Sequence, residues 1–254
     1  MAKHILYIIA FTLSSVCSAV SASAFNAGEA YKKGCELYSK NEYRAAAAEF
    51  ESVADKLQSA DVYYNLGNCH YRLNDYPKAR LYYERALRID PTDGDAKFNL
   101  KITLAKIKQP EVNASTPFMT TWARNFVQLQ SSGAWSALCI VFFAVTLVAL
   151  LVYFFGRMMW LRKVAFFGSI FTLALSVLSL VCAFAQPKAN AGEAIVLQQC
   201  DVKQSPSDNS KTLQLVQPGA KIHLITGTTL KQWQQISLSD GQKGWVSLKD
   251  IAGI

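Results

Sequence analysis

Thiols and imidazoles come first, because few other side chains in this sequence could do covalent or metal chemistry. Six cysteines and three histidines are present. Cys17 lies in an N-terminal apolar run, Cys139 and Cys182 in two longer ones, and Cys200 near the end of the chain. No C-x-x-C pair exists for thiol–disulfide exchange. Cys35 and Cys69 are the pair that successive helices would bring near each other. A disulfide and two small buried side chains both stay open for them. His4 sits in the leader, and His70 and His223 stand alone. No H-E-x-x-H, phosphate-binding loop, nucleophile elbow or dinucleotide fingerprint occurs. The sequence therefore reads as a non-enzyme, with no catalytic residue, metal ligand or cofactor expected. What remains is recognition by tyrosines and asparagines, which supply broad contact and amide hydrogen bonds to a peptide backbone.

The elements that must position those residues show self-similarity. Gly34 and Gly67, Tyr43 and Tyr76, and Phe50 and Tyr83 are each separated by 33 positions. Such a period indicates a helical array. Helices are expected at about 27–40, 43–57, 60–73 and 76–89, with a closing helix over 96–107. The second copy reads Tyr63-x2-Leu66-Gly67-x2-His70, then Ala79-x3-Tyr83, Ala86 and Pro91. It closely resembles the tetratricopeptide (TPR) repeat. The resemblance implies a TPR array over 25–108, about two repeats plus a closing helix, whose inner surface holds peptides or helices of partner proteins. On this sequence that surface carries Tyr31, Tyr38, Tyr64, Asn65, Asn68, Tyr71, Arg72, Phe98 and Asn99, beside Cys35.

Composition points to a membrane. Hydrophobic residues make up 51% and charged residues only 17%, against roughly a quarter charged in soluble proteins. Residues 1–24 read as a signal peptide, with a basic start, an apolar run and Ala22-Ser23-Ala24 before Phe25. Residues 134–155 and 164–185 carry no charge and are long enough to span a bilayer as helices. The expected loop between them, 156–163, holds Arg157, Arg162 and Lys163 and no acid. The excess of positive charge places this loop in the cytoplasm. The signal peptide places residue 25 onward outside, so both arguments give one hairpin with its flanking domains on the outer side. Half of the net charge of +8 falls within residues 118–185. It reports orientation, and no nucleic acid is expected as a partner. Residues 109–133 form a linker and juxtamembrane segment, in which Phe118, Trp122, Phe126 and Leu129 stand at helical spacing.

After the hairpin the pattern becomes short β-rich pieces separated by Pro218-Gly219 and Asp240-Gly241. Val202-x3-Pro206, Trp233-x2-Ile236 and Asp240-Gly241-x2-Gly244-Trp245-Val246 make residues 190–254 similar to the bacterial SH3 domain. That resemblance implies a small closed barrel with Trp233 and Trp245 in its core or rim, or at a surface for peptides or peptidoglycan. The expected fold class is a multidomain membrane protein: an all-α TPR helical array, a two-helix transmembrane hairpin and a small all-β SH3-like barrel. This order of parts resembles the BatE proteins of Bacteroides aerotolerance operons. The resemblance implies a scaffold on the periplasmic side of the bacterial inner membrane. Its implied partners are von Willebrand A domain membrane proteins, other TPR proteins of the same complex and a MoxR-type ATPase. The alternative is a cell-wall-binding envelope sensor that signals through the hairpin.

Overall fold

A computed structural model of the chain describes residues 27–108, 111–112, 118–189, 192–225, 227–238 and 242–254. The expected signal peptide, most of the linker at 109–117 and the Asp240-Gly241 turn lie outside the described residues.

Five helices form the N-terminal array: α1 (27–39), α2 (Tyr43–Ala54), α3 (Ala60–Arg72), α4 (Tyr76–Ile89) and α5 (Gly94–Leu104). Their bounds follow the 33-residue period, and so do their contacts. A Cβ on Gly34 would lie 2.7 Å from the Phe50 ring, and one on Gly67 would lie 2.6 Å from the Tyr83 ring. Each glycine therefore lets an antiparallel helix approach until an aromatic ring rests on bare backbone. The tight turns repeat as well. Asn41 and Asn74 both take the left-handed conformation, with φ of 64° and 60°, which asparagine tolerates better than most residues. Each accepts a hydrogen bond at Oδ1 from the tyrosine two residues on, Tyr43 at 2.5 Å and Tyr76 at 2.9 Å. Asp75 caps α4 by accepting from the Lys78 amide, and Asp93 caps α5 by accepting from Asp95 and Ala96. Ala46, Phe50, Leu66, Tyr83 and Ala86 are buried in the array.

A short strand, β1 (Glu111–Val112), and helix α6 (Phe118–Val127) lead to two long helices, α7 (Ser132–Phe155) and α8 (Met159–Ala189). Both are long and apolar enough to cross a membrane. Their link is three residues, 156–158, where eight were expected, because Met159 to Lys163 continue as helix. Small hydroxylated residues face the seam between them. Thr146 and Thr172 hydroxyls meet at 2.8 Å, and Ser176 Oγ donates to the Cys139 carbonyl at 3.1 Å. Large apolar side chains such as Phe154, Phe167 and Phe171 point outward.

Seven strands follow: β2 (Glu193–Val196), β3 (Cys200–Lys203), β4 (Thr212–Val216), β5 (Lys221–Leu224), β6 (Trp233–Ser237), β7 (Lys243–Ser247) and β8 (Ile251–Gly253). They run β4-β3-β7-β6-β5-β2-β8, and every neighbouring pair is antiparallel. The expected SH3-like barrel is corrected here: the sheet is not closed. Its end strands β4 and β8 remain apart, and β8, of three residues, yields its Gly253 oxygen to Arg85 of α4. Covering by the helical array manages this edge where closure would otherwise do so. β1, from before the long helices, adds to β5 in parallel register, Glu111 opposite Lys221 and Val112 opposite Ile222. The core of the sheet is Ala194, Val196, Val202, Val216, Ile222, Ile236 and Val246.

Candidate partner-binding surface

The inner-surface residues expected from the sequence lie on the first helices of the repeats, α1, α3 and α5. They form a ladder of polar contacts that repeats down the array. Asn65 Nδ2 donates to the Tyr31 hydroxyl at 3.0 Å, and Asn99 Nδ2 donates to the Tyr64 hydroxyl at 3.3 Å. Asn99 Nδ2 also reaches Asn68 Oδ1 at 2.9 Å, which accepts from the Tyr83 hydroxyl at 2.7 Å. The Asn68 carbonyl therefore has two internal donors and joins the helices, leaving a smaller part of it to face a partner. Tyr38 and Tyr71 pack edge-on against Tyr43 and Tyr76, one repeat apart. Arg72 is exposed and its guanidinium bonds the Tyr38 hydroxyl.

This network stiffens the tyrosine rings and fixes where their faces point. Burial first, then the neighbouring Cys35, pushes the Tyr31 phenol above its ordinary value. Burial does the same to Tyr83, more strongly. Both stay neutral donors and acceptors across the physiological range. Phe98 is 64% exposed on α5. Cys35 is exposed and Cys69 is buried, and both are free thiols. Burial, with Cys35 adding to it, raises Cys69 to about 12, which makes it inert as a nucleophile.

The outer face is closed by charged residues that sequence reasoning did not single out. Arg80 on α4, with a side chain 2% exposed, donates through Nε to Glu84 Oε1 at 2.9 Å and through Nη1 to the Gly219 carbonyl at 2.9 Å. Glu84 Oε2 takes Lys221 Nζ of β5 at 2.6 Å. Lys221 also meets Glu193 Oε2 of β2 at 2.8 Å, and Glu193 Oε1 meets Arg124 of α6 at 3.1 Å. Five charges alternate in sign along this chain, so each acid lies between two cations. Such pairing offsets the desolvation that burial costs. Burial pulls the Lys221 ammonium down, but Glu84 and Glu193 outweigh it and its pKa is raised. Ile107 leaves the end of the array and packs on Gly219, where a Cβ would lie 2.9 Å from its side chain. The sequence signal available for this interface was the Arg80–Glu84 spacing of four on a helix. Nothing in the pattern indicated that this face is buried.

The remaining expected residues are placed as follows. Trp233 is buried at 8% exposure and borders a cleft of about 520 Å³ with Asp201, Lys203, Asp208, Lys249 and Asp250. Trp245 is half-buried on β7, opposite Gln235 and Lys203. Arg157 and Lys163 are exposed. Arg162 turns back from the first turn of α8, donating to the Tyr153 carbonyl at 3.0 Å and lying over the Tyr153 ring at 5.4 Å. It thereby caps the end of α7. Among the described residues, no group of three or more His, Cys, Asp or Glu side chains is placed to hold a metal ion.

Comparison with known families matches residues 31–94 to the Tetratricopeptide repeat. The matched segment includes α2, α3 and α4, with most of α1 before them. No curated protein matches the chain. The match assigns a general capacity for protein–protein interaction to the array.

Proposed function

We propose that this chain, with its tetratricopeptide repeat, is a non-enzymatic scaffold anchored in the bacterial inner membrane by α7 and α8. Its array and sheet would both face the periplasm. One observation carries the reading: the tyrosine–asparagine ladder lines the first helices, while the sheet docks on α4 of the opposite face. The sheet acts as a brace that fixes the array relative to the membrane and leaves the inner surface for a partner. The three basic residues around the 156–158 link support a cytoplasmic position for it. The order of parts supports membership of an aerotolerance or envelope-stress complex with von Willebrand A domain proteins, other TPR proteins and a MoxR-type ATPase.

The test is crosslinking in native membranes followed by mass identification, with wild type beside Tyr64→Ala combined with Phe98→Ser. Loss of a von Willebrand A domain partner from the variant supports the proposal. Equal recovery from both proteins overturns it.

A second reading draws on the cleft beside Trp233. Its mixture of Asp201, Asp208 and Asp250 with Lys203 and Lys249 suits a zwitterionic peptide such as a cell-wall stem. In that reading the chain is an envelope sensor. Retention of the full-length protein on purified peptidoglycan, lost in Trp233→Ala, would favour it.

A further inference from the structure

A cleft of about 770 Å³ opens where α4, β8, the start of α7 and the end of α8 meet. Three features of its wall suit an anion. The side chain of Gln186, on the last turns of α8, is buried at 4% exposure, and its Nε2 has no hydrogen-bond partner among the described residues. A buried amide donor without an acceptor is rare in folded proteins and marks a missing ligand or water. The N-terminus of α7 forms another wall, through Ser131, Ser132 and Gly133. Ser131 Oγ takes the Ala134 amide at 3.2 Å. The amides of Ser132 and Gly133 stand ahead of it, at helix positions with no intrahelical acceptor, and they add the positive end of the helix dipole. Arg85 supplies a full charge. Its guanidinium lies over the Tyr63 and Tyr82 rings, at 5.8 and 5.7 Å, and bonds the neutral Gly253 oxygen. It makes no ion pair among the described residues. Arg88 also lines the cleft, but it already donates to the Ile254 main-chain oxygen, so Arg85 carries the charge argument. No acidic side chain lines the cleft.

We infer that this cleft binds a phosphate group, and that the phosphate is the headgroup of a phospholipid. The inference rests on the reading of α7 and α8 as membrane spans. Under that reading the start of α7 and the end of α8 lie together at one bilayer surface, where headgroups are. The volume far exceeds that of inorganic phosphate and admits a headgroup with its glycerol. Exposed apolar side chains further along α7, among them Leu138, Ile140 and Val141, give the acyl chains a surface to follow. A phosphate here satisfies the orphaned Gln186 donor and the two helix amides, and it meets Arg85 in charge. The lipid would tie the array to the hairpin through a group that belongs to neither.

Purified full-length protein in detergent, supplied with defined lipids and observed by native mass spectrometry, tests this. Phosphatidylglycerol should be retained by wild type, and a diacyl glycolipid lacking phosphate should be lost. Arg85→Gln and Gln186→Leu should each weaken phosphatidylglycerol retention by about tenfold, the usual scale for one hydrogen bond to a charged group. Equal retention of the two lipids by wild type overturns the inference without any variant. Unchanged retention in both variants overturns it too. Inorganic phosphate forms a separate arm: if it abolishes phosphatidylglycerol retention at millimolar concentration, the site is one for free phosphate and the lipid assignment fails. Alkaline carbonate extraction separates this from the premise. A protein released from membranes by carbonate sinks the membrane reading, whereas an integral protein that does not discriminate lipids sinks only the cleft.

Discussion

Lys221 of β5 and Glu84 of α4 meet at 2.6 Å across 137 positions of sequence, and both long apolar helices lie between them in the chain. The contact joins the segment before the hairpin to the segment after it. Glu193 and Arg124 extend it to α6. The array, α6 and the sheet therefore share one electrostatic seam.

Removing Lys221 should break that seam. Lys221→Met keeps the length of the side chain but leaves Glu84 and Glu193 facing each other with side chains 11% and 4% exposed. Each acid keeps one cation, Arg80 or Arg124, so the loss should be smaller than the about 3–5 kcal/mol of a wholly uncompensated buried charge. The expected outcome is faster hydrogen exchange in β5 and α4 together. Adding Glu84→Gln should recover part of the loss. Protection in α4 equal to wild type would show that the seam does not hold the domains.

The same lysine gives an alkaline limit. Its folded pKa is raised, so its contribution is fully present below the unfolded lysine value, about 10.4. The contribution is lost as pH rises through the folded value. Thermal unfolding of wild type should therefore fall towards that of Lys221→Met only above about pH 10. A gap between the two proteins that already closes near neutrality would contradict the ion-pair account.

Asp75 sets an acid limit by the opposite sign. Partial burial pushes its carboxyl up, but the contact with His70, the Lys78 amide and the Lys78 ammonium hold it below the ordinary carboxylate value. Its contribution is present above the unfolded value, about 3.9, and disappears as pH falls through the folded one. Asp75→Asn also loses the charge at the start of α4. Melting curves of the two proteins should differ at pH 6 and draw together only at pH values below the ordinary carboxylate value, about 3.9. Parallel curves down to the lowest pH would remove Asp75 from the account.

Gly67→Ala places a methyl group 2.6 Å from the Tyr83 ring. Overpacking costs about 1–3 kcal/mol, which exceeds the helix propensity gained by replacing glycine. The melting temperature should fall, and Tyr83→Leu in the same chain should cost less than the two changes summed. Additive effects would mean that the ring and the glycine do not press on each other.

Topology predicts an export pattern. A reporter fused after Trp160 should remain in the cytoplasm, and one fused after Ile254 should be exported. Export after Trp160 with cytoplasmic activity after Ile254 would reverse the proposed orientation, and cytoplasmic activity at both would mean that α8 does not cross.

The helical array was the part most legible in the sequence. Small residues at Gly34, Gly67 and Ala79, with rings at Phe50 and Tyr83, carry their packing in their own spacing. At the seam between α7 and α8, Thr172 and Ser176 are small and polar within an apolar run. The sheet was less legible. β3 and β8 are only four and three residues long, too short to show alternation, and β1 lies in a segment whose prolines read as linker. The charged seam was hidden for a different reason. Arg80 and Glu84 look like a solvated helical pair, and only the docking of Gly219 and Lys221, 139 and 137 positions away, buries them. The residues expected at the inner surface lie on α1, α3 and α5. Their mutual hydrogen bonds were not foreseen, because sequence spacing gives a residue's face and says nothing of how its polar atoms are divided between neighbour and partner.

The parallel pairing of β1 with β5 has a consequence for biogenesis. The strand comes from residues 111–112, and its partner from residues 221–224, beyond both long helices. If those helices cross a bilayer, the strand and its partner meet only when an even number of crossings returns the chain to the face it left. A polypeptide in which α8 failed to insert would leave the two-residue strand β1 and the seven strands that follow α8 in different compartments. Under that condition, pairing of β1 with β5 depends on both helices having crossed.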